Sequence, residues 1–464
     1  MRHGNVARVL SACAALVLIL VGVRPLGAQL GQATGIEVPV EYHQLDNGLK
    51  VVLSQDRTIP TAVVAVYYNI GFRTEPRDRT GFAHLFEHMM FQGSENLGKM
   101  EFIRLVQQNG GVLNGSTRFD FTNYFEIIPS NVLETALWAE ADRMRGLAID
   151  QDNLTNQQGV VKNEVRVNVL NQPYGGFPWI DLPMTANTNW YNAHNFYGDL
   201  AHLDAATLED VRSFFRTFYA PNNAVLVVTG DFDAAQTMAW IHEYFDDIPS
   251  VTQPAPADLT EPRQTEERRA GRADPLAQRP ALGVAWHVPP SWTPEWFAFG
   301  LIDQIIGQGR DSRLYQTLVQ ERGLTGGVGA GINFGLGNMY NYSGPMLYIL
   351  SIFHDSEVTD AQIIDGIDDV VADLMERPVD QETLERARTK ARSQFYSMVE
   401  STFGFGRADL LASFALFYDD PGRINRVEAG YAAVTPELIQ RVAREYLRST
   451  NRTLYTITPG AGAA

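Results

Sequence analysis

Cysteine is almost absent from this chain of 464 residues, which contains a single copy, Cys13. One thiol cannot form a disulfide within the chain. Cys13 also lies in an N-terminal segment that we expect to be removed, so the mature protein is predicted to have neither disulfides nor thiol chemistry. The fold must then be held together by packing, which a chain of this length can provide.

An excess of basic residues is absent as well. The chain has 37 Lys and Arg residues against 54 Asp and Glu residues, a formal net charge of -17 and a pI near 5.0. No basic patch suggests binding to nucleic acid, so we predict no nucleic-acid partner. An acidic surface instead favours basic or neutral partners.

Long apolar runs are missing except for one close to the N-terminus. Residues 9–23 are apolar, Arg2 and Arg8 precede them, and Ala28 is a small residue at a plausible cleavage site. This order is typical of a secretory signal peptide, and the run is short for a membrane span. We therefore predict a signal peptide over residues 1–28, a periplasmic or secreted protein, and no stable membrane span after cleavage. An uncleaved anchor is the alternative.

Beyond this segment, strand and helix patterns alternate along the chain in two rounds. Residues 251–280, between the rounds, are rich in Pro, Ala, Glu and Arg, which indicates a linker. Residues 207–229 and 435–457 align without a gap at an offset of 228, each as a helix, an Asn and a short apolar strand. We predict an α+β fold with two related domains, residues 37–250 and 281–464. Each is expected to be a mainly antiparallel sheet packed by helices, with the second half a degenerate repeat of the first.

Alternation, apolar periodicity and turn residues set the predicted elements. The first two strands flank Asp46-Asn47-Gly48, which is a hairpin signal. The predicted strands cover residues 42–45, 50–54, 61–68, 121–128, 224–229, 281–287 and 346–353. The predicted helices cover residues 84–90, 99–108, 131–145, 152–170, 208–218, 296–306, 360–375 and 382–398.

The most informative pattern is His84-Leu85-Phe86-Glu87-His88. Residues four apart lie on one face of a helix, so the two imidazoles can bind one metal ion together. Glu87 projects at the edge of that face, next to any water that the metal holds. This is the H-x-x-E-H order, the reverse of the H-E-x-x-H zinc motif. An ordinary amphipathic helix with two satisfied histidines is the alternative interpretation.

A catalytic zinc site needs three protein ligands and an open position for water. With His84 and His88 supplying two, the third must come from another element, and the predicted helix over residues 152–170 offers Glu164. From the residues alone, a glutamate on a helix is more often a solvated surface residue. The pattern by itself therefore leaves the third ligand open.

Four segments carry a resemblance that extends over the whole mature chain, namely residues 81–91, 110–117, 160–166 and 219–223. On these segments the chain resembles the pitrilysin/insulinase family of inverted-motif zinc peptidases, and within it the short bacterial members similar to mitochondrial processing peptidase. In that family the third ligand is a glutamate some 76 positions after the second motif histidine, which here is Glu164.

The resemblance implies a complete catalytic set in the first half of the chain. The two motif histidines and Glu164 would bind Zn2+, and Glu87 would be the general base that takes a proton from water. The strand that holds Asn114 and Gly115 would be a sheet edge, to which a peptide substrate adds as an extra strand. A turn role for Asn114 is the alternative from the residues alone.

Two departures from the family pattern matter. Gln157 stands seven residues before the third ligand, where the family often has a glutamate, and it brings hydrogen bonds but no charge. Val319 and Gly326 stand where the family has an Arg and a Tyr that grip the substrate carbonyl and stabilise the oxyanion. The chain therefore resembles one half of an active site, unless Arg322 or Tyr315 takes the oxyanion role.

The sequence thus predicts a zinc-dependent endopeptidase that hydrolyses peptides or unfolded segments, as the zinc-bearing subunit of a heterodimer. The expected partner is a homologous subunit that supplies the missing Arg/Tyr pair, and a homodimer is the other arrangement. The alternative class of function is a catalytically weak or non-catalytic scaffold, or a partner subunit of a larger peptidase complex.

Export can be tested directly on the full-length chain expressed in a bacterium. The exported protein should begin near Gln29, because the charged and apolar segments before it form a cleavable signal. Intact-mass spectrometry and N-terminal sequencing of the periplasmic fraction measure this. Changing Arg2→Glu and Arg8→Glu together should retain the chain in the cytoplasm, whereas the matched Lys changes should not. An exported chain that keeps Met1 would contradict the cleavage prediction.

Overall fold

The computed structural model describes residues 36–460. The predicted signal peptide over residues 1–28 lies outside the described residues and stays a prediction. Within residues 36–460, no helix is long and apolar enough to cross a membrane. From Glu37 onward the described chain is one unit built on two β-sheets.

The first sheet has six strands in the order β1-β2-β6-β3-β5-β4. Neighbouring strands are antiparallel except for β2 and β6, which run parallel. Strand β4 therefore lies at an edge of this sheet. The strands are β1 (Glu41–Gln44), β2 (Lys50–Gln55), β3 (Thr61–Tyr68), β4 (Val112–Thr117), β5 (Thr122–Pro129) and β6 (Ala224–Gly230).

Helices of the first half pack mainly on the sheet face formed by Val64, Val66 and Tyr68. Helix α4 continues into a π-helical segment, Arg166–Leu170, so the continuous α-helix predicted over residues 152–170 ends at Val165. The helices are α1 (Phe82–Met89), α2 (Glu101–Gln108), α3 (Leu133–Arg145), α4 (Gln151–Val165), α5 (Asp181–Ala186), α6 (Trp190–Ala193), α7 (Leu200–Ala205), α8 (Leu208–Phe218) and α9 (Ala234–Phe245).

The second sheet has five strands in the order β7-β11-β8-β10-β9, and β7 is parallel to β11. The strands are β7 (Arg268–Asp274), β8 (Ala281–His287), β9 (Val328–Ile332), β10 (Leu347–Phe353) and β11 (Arg452–Pro459). The helices are α10 (Pro294–Ile306), α11 (Asp360–Glu376), α12 (Gln381–Val399), α13 (Phe405–Tyr418), α14 (Val427–Ala432) and α15 (Pro436–Tyr446). A π-helical segment, Tyr315–Glu321, precedes β9.

The two sheets have the same topology apart from β1, which has no counterpart in the second sheet. The parallel pair β2/β6 corresponds to β7/β11, and each is followed across the sheet by three antiparallel neighbours. The predicted fold class, two related and mainly antiparallel sheets packed by helices, is confirmed.

The repeat at an offset of 228 extends to side-chain hydrogen bonds. Thr207 and Thr435 cap α8 and α15 through their hydroxyls, which accept from the backbone N–H three residues later. Asn223 Nδ2 donates to the carbonyl oxygen five residues before it at 2.8 Å, and Asn451 does the same at 2.7 Å. In both halves the asparagine thus satisfies a carbonyl at the end of the helix and fixes where the next strand begins.

The predicted linker over residues 251–280 is wrong at its C-terminal end. Residues 268–274 form β7, which pairs with β11 at the outer edge of the second sheet. Most of its side chains are exposed or half-buried, and its composition is that of a polar loop. Backbone pairing with β11, instead of burial, makes this segment a strand.

Each half of the chain covers part of the other half's sheet. Helix α13 from the second half packs on β3 and β6, and its Leu411 and Phe414 share one core with Val63 and Val227. Helix α5 from the first half packs on β8 and β11 in the same way. A sheet that is buried on both faces needs helices on both faces. In each half, one of those faces is covered in part by a helix from the other half.

A buried ion pair also connects the halves. Arg73 Nε lies 3.0 Å from Asp120 Oδ1, and both side chains are almost fully buried. Arg73 Nη1 donates to the Pro345 carbonyl oxygen at 2.8 Å, and Asp120 Oδ2 accepts from the Ser343 N–H at 2.9 Å. The pair therefore fixes a second-half loop against the start of the first half.

Candidate metal centre

Helix α1, which carries both motif histidines, begins at a close backbone crossing. Gly81 precedes it with a φ of +87°, and a Cβ there would lie 2.8 Å from the Tyr197 carbonyl oxygen. Only glycine suits this position. The buried Glu75 carboxyl group accepts from the N–H groups of Gly81 at 2.9 Å and Ala83 at 2.5 Å. These N–H groups at the start of the helix have no acceptor within the helix, and Glu75 supplies one. Burial of the side chain raises the pKa of Glu75 to about 8.

The imidazoles of His84 and His88 project from successive turns of α1. Their Nε2 atoms are 3.4 Å apart, with His84 buried and His88 partly exposed. The Nδ1 atom of His84 is buried and has no hydrogen-bond partner among the described residues. The two Nε2 atoms are therefore the donor atoms that face one common point.

Glu164 reaches the same point from α4, which packs against α1. Its Oε1 lies 3.5 Å from His84 Nε2, and its Oε2 lies 3.1 Å from His88 Nε2. One ligand atom from each of the three residues lies within 4.8 Å of the others. Hydrogen bonds from His84 and His88 hold the pKa of the Glu164 carboxyl well below its usual range, so the group is a carboxylate.

The donor set has the chemistry of a zinc site. Two imidazole nitrogens and one carboxylate oxygen suit zinc, and three protein ligands leave a position open. Within residues 36–460, no other group of three or more His, Cys, Asp and Glu side chains converges in this way. The residues present thus fit one zinc ion.

Glu87 lies beside this cluster and is oriented by a neighbouring strand. Its Oε2 accepts a hydrogen bond of 2.7 Å from the hydroxyl of Thr117, a buried residue of β4. A Cβ added at Gly115 on the same strand would lie 3.3 Å from Glu87 Cγ, so the glycine leaves room for the carboxylate. Thr117 was not identified from the sequence as a site residue, although it ends one of the segments that carry the family resemblance.

The predicted substrate residues lie on the free edge of the first sheet. Asn114 is exposed on β4, and its Oδ1 accepts from the Gly115 N–H at 2.9 Å. Gly115 is buried between Glu87 and Tyr124. Strand β4 pairs with β5 on one side only, so the outward backbone groups of Val112–Thr117 remain available to an added strand.

The predicted supporting residue Gln157 is buried in α4, two turns before Glu164. Its side chain makes no hydrogen bond to His84 or His88 within the described part of the chain. The structure therefore places Gln157 on the correct helix without showing a contact to the ligands.

The second half offers no Arg/Tyr pair at the predicted positions. Val319 lies in the π-helical segment and Gly326 in the exposed loop after it. Arg322, one of the two residues considered in their place, is exposed and pairs with Asp365 at 3.0 Å and with Asp369. Its guanidinium is thus bound to acidic side chains of α11.

Tyr197 also adjoins the cluster, and sequence reasoning missed it. Its ring centre lies 5.0 Å from that of His84. Burial, together with the charges of Glu164 and Glu87, raises the pKa of the Tyr197 phenol to about 12. The residue belongs to a loop that no metal or catalytic motif marks, so only the folded structure brings it to the site.

Two family models match the chain. Residues 50–174 match the model described as Insulinase (Peptidase family M16), and residues 205–391 match the model described as Peptidase M16 inactive domain. The first range contains the motif histidines, Glu87 and Glu164. The chain therefore belongs to the peptidase M16 (insulinase) family, which confirms the resemblance.

Individual proteins support the same assignment. The zinc protease PqqE of Helicobacter pylori is 25% identical over 467 residues, which cover 99% of this chain and 100% of that protein. A solved structure of a protease from Helicobacter pylori has a TM-score of 0.82 and 24% identity, covering 91% of this chain and 100% of that one. The periplasmic protease PqqL from Escherichia coli has a TM-score of 0.72 and 16% identity, covering 92% and 49% respectively. These structures show a shared fold.

Proposed function

We propose that this chain is a zinc-dependent endopeptidase that hydrolyses peptides or unfolded segments, and that it is the zinc-bearing subunit of a heterodimer. The observation that carries the proposal is the convergence of ligand atoms from His84, His88 and Glu164 within 4.8 Å, with the Glu87 carboxylate alongside. We assign the zinc site to the half over residues 37–250; the half over residues 281–464 has no comparable cluster among its described residues.

The three ligands would hold zinc through two nitrogens and one oxygen. Bound there, zinc would lower the pKa of water and polarise the scissile carbonyl. The carboxylate state of Glu164 supports this role, because a metal ligand must be deprotonated. Hydrogen bonds from Gly81 and Ala83 to Glu75 hold the first turn of the helix that carries the two histidines.

Glu87 is the proposed general base. Its carboxylate takes a proton from the attacking water and later delivers a proton to the leaving amine. The hydrogen bond from Thr117 occupies one lone pair of Oε2 and fixes the carboxylate plane against β4. Proton transfer depends on such fixed geometry between the base and the attacking water.

The edge of β4 is the proposed peptide-binding strand. Main-chain pairing along Val112–Thr117 would place the substrate backbone next to Glu87, because Gly115 on that strand lies directly below the carboxylate. Asn114 would then exchange its local hydrogen bond for one to the substrate backbone. Backbone pairing depends little on the side chains of the substrate, so it suits extended or unfolded peptides of varied sequence.

A heterodimer is proposed because the chain has the metal ligands and base but not the Arg/Tyr pair. A homologous subunit carrying that pair would complete the site, and a homodimer is the other arrangement. The proposed location is periplasmic or secreted, on the basis of the N-terminal segment and the fold shared with a periplasmic protease.

The second candidate function is a catalytically weak or non-catalytic partner subunit. Two observations favour it, namely the match of residues 205–391 to an inactive-domain model and the absence of the pair at Val319 and Gly326. A chain of this kind would assemble with a peptidase subunit and contribute little or no zinc-dependent hydrolysis of its own.

Zinc content tests the ligand set. The purified protein should contain about one zinc per chain, as three ligands with an open position imply. Changing His84→Ala together with Glu164→Ala should remove most of it, measured by mass spectrometry of the metal after dialysis. His242→Ala is the matched control, because His242 is exposed on α9 and its side chain pairs with nearby Asp246. Full zinc retention in the double variant would refute this ligand set.

Two substitutions test the base and its support. Glu87→Gln should keep zinc but lower kcat by about 100-fold or more, the scale of lost general-base catalysis. Thr117→Val should lower kcat by about 10-fold, the value of one hydrogen bond to a charged group. In the Glu87→Gln background the Thr117→Val change should have no further effect. Near-normal turnover by zinc-loaded Glu87→Gln would show that another group is the base.

Assembly with a partner tests the split site. The chain purified alone should hydrolyse unfolded peptides slowly, and a homologous subunit with the Arg/Tyr pair should raise kcat by about 100-fold, as an oxyanion donor does. The same subunit with its Arg changed to Ala and its Tyr to Phe should bind without activating. Full activity of the lone chain would contradict the heterodimer, and no hydrolysis with any partner would favour the scaffold function.

A further inference from the structure

A tyrosine with a free hydroxyl lies beside the candidate metal centre. The ring of Tyr197 is 5.0 Å from that of His84 between centres, with the ring planes 60° apart. The charges of both Glu164 and Glu87 act on its hydroxyl. The phenol therefore lies near the metal-ligand cluster, against the ring of one candidate ligand.

The backbone around Tyr197 is fixed against the start of α1. The Tyr197 N–H donates to Asn195 Oδ1 at 2.9 Å, and the Asp199 N–H donates to Thr80 Oγ1 at 2.9 Å. Gly198 has a φ of +70°, and a Cβ there would lie 2.3 Å from the Gly81 nitrogen. The loop is thus held closely against the start of the helix that carries the histidines, and a catalytic donor needs such preorganisation.

Among the buried tyrosines of this half, Tyr68 also has a hydroxyl without a partner within residues 36–460, but that hydroxyl is sealed from solvent, whereas the hydroxyl of Tyr197 is not. Tyr124 and Tyr219 bond to each other at 3.1 Å, and Tyr67 donates to Asp409 at 2.8 Å. Within residues 36–460 the Tyr197 hydroxyl makes no hydrogen bond, and it is not sealed from solvent, although its ring is largely buried. A buried tyrosine usually has a partner for its hydroxyl, so this one is available to a bound molecule.

We propose that Tyr197 is a catalytic residue whose hydroxyl donates a hydrogen bond to the scissile carbonyl oxygen and to the oxyanion that forms from it. The proposal deepens the proposed endopeptidase function and rests on it. It gives this chain one oxyanion donor of its own, in the half that has the ligands and the base. The partner's Arg/Tyr pair would add to this donor.

Attack of water on the scissile carbonyl places a negative charge on the carbonyl oxygen, which the Tyr197 hydroxyl stabilises. Water oxygen bonds to the carbonyl carbon, the C=O π pair moves to the carbonyl oxygen, and Glu87 receives the water proton. When the tetrahedral species collapses, that pair re-forms the C=O bond, the C–N bond breaks, and the amine leaves with the proton from Glu87. Tyr197 shares its hydrogen with the negative oxygen throughout and is unchanged at the end.

Tyr197→Phe is the direct test, because it removes the hydroxyl and keeps the ring against His84. In the zinc-loaded protein kcat should fall on the order of 100-fold with KM unchanged, as for other lost oxyanion donors. A phosphinic peptide, which presents a tetrahedral negative oxygen, should bind Tyr197→Phe more weakly by a similar factor. A reduced-amide peptide of the same sequence, which lacks that oxygen, should bind both proteins equally.

Tyr191→Phe is the matched control, since Tyr191 lies in α6 of the same segment and its ring contacts Trp190. It should keep wild-type kcat and phosphinate affinity. If Tyr197→Phe also keeps both, or if it loses zinc or changes only KM, the donor role is overturned while the endopeptidase function stands. If the wild-type chain shows no zinc-dependent hydrolysis, alone or with a homologous partner, both proposals fail.

Discussion

The candidate site depends on the position of one short helix, α1, which carries three of its side chains. The buried Glu75 carboxyl holds the first turn of that helix by accepting from backbone N–H groups. On one side α4 brings Glu164 to the imidazoles, and on the other β4 brings Thr117 to Glu87. A small rotation of α1 would change all of these distances together. The ligands and base are thus set by packing around one element.

The second half of the molecule repeats the sheet topology of the first half but has a different helix where α1 would be. Helix α10 follows β8 as α1 follows β3, but it contains no histidine and is apolar over most of its length. Its one buried acid, Asp303, accepts hydrogen bonds from Gln308 instead of facing a second helix with ligands. The repeat thus keeps the sheet and its caps, and within residues 36–460 the converging His and Glu side chains lie in the first copy alone.

The sequence predicts most helices and strands because turn residues, helix caps and apolar alternation act over only a few neighbouring residues. The hairpin around Asn47-Gly48, the threonine-capped helices and the alternating strands fall within a few residues of their predicted bounds. Strand β7 was missed because an exposed edge strand has no apolar alternation. The histidine pair follows from helix geometry, whereas Glu164 required the family resemblance, since no spacing rule relates it to α1. Thr117, Glu75 and Tyr197 reach the site only through tertiary contacts.

The exchange of α5 and α13 between the halves limits how this molecule can move. Separating the halves would strip α13 from β3 and β6 and α5 from β8 and β11, exposing apolar faces of both sheets to water. The buried pair of Arg73 and Asp120 would lose its contacts to the second half as well. A hinge within this chain is therefore costly. The two sheets are thus expected to move together as one rigid unit, with relative displacement confined to surface loops.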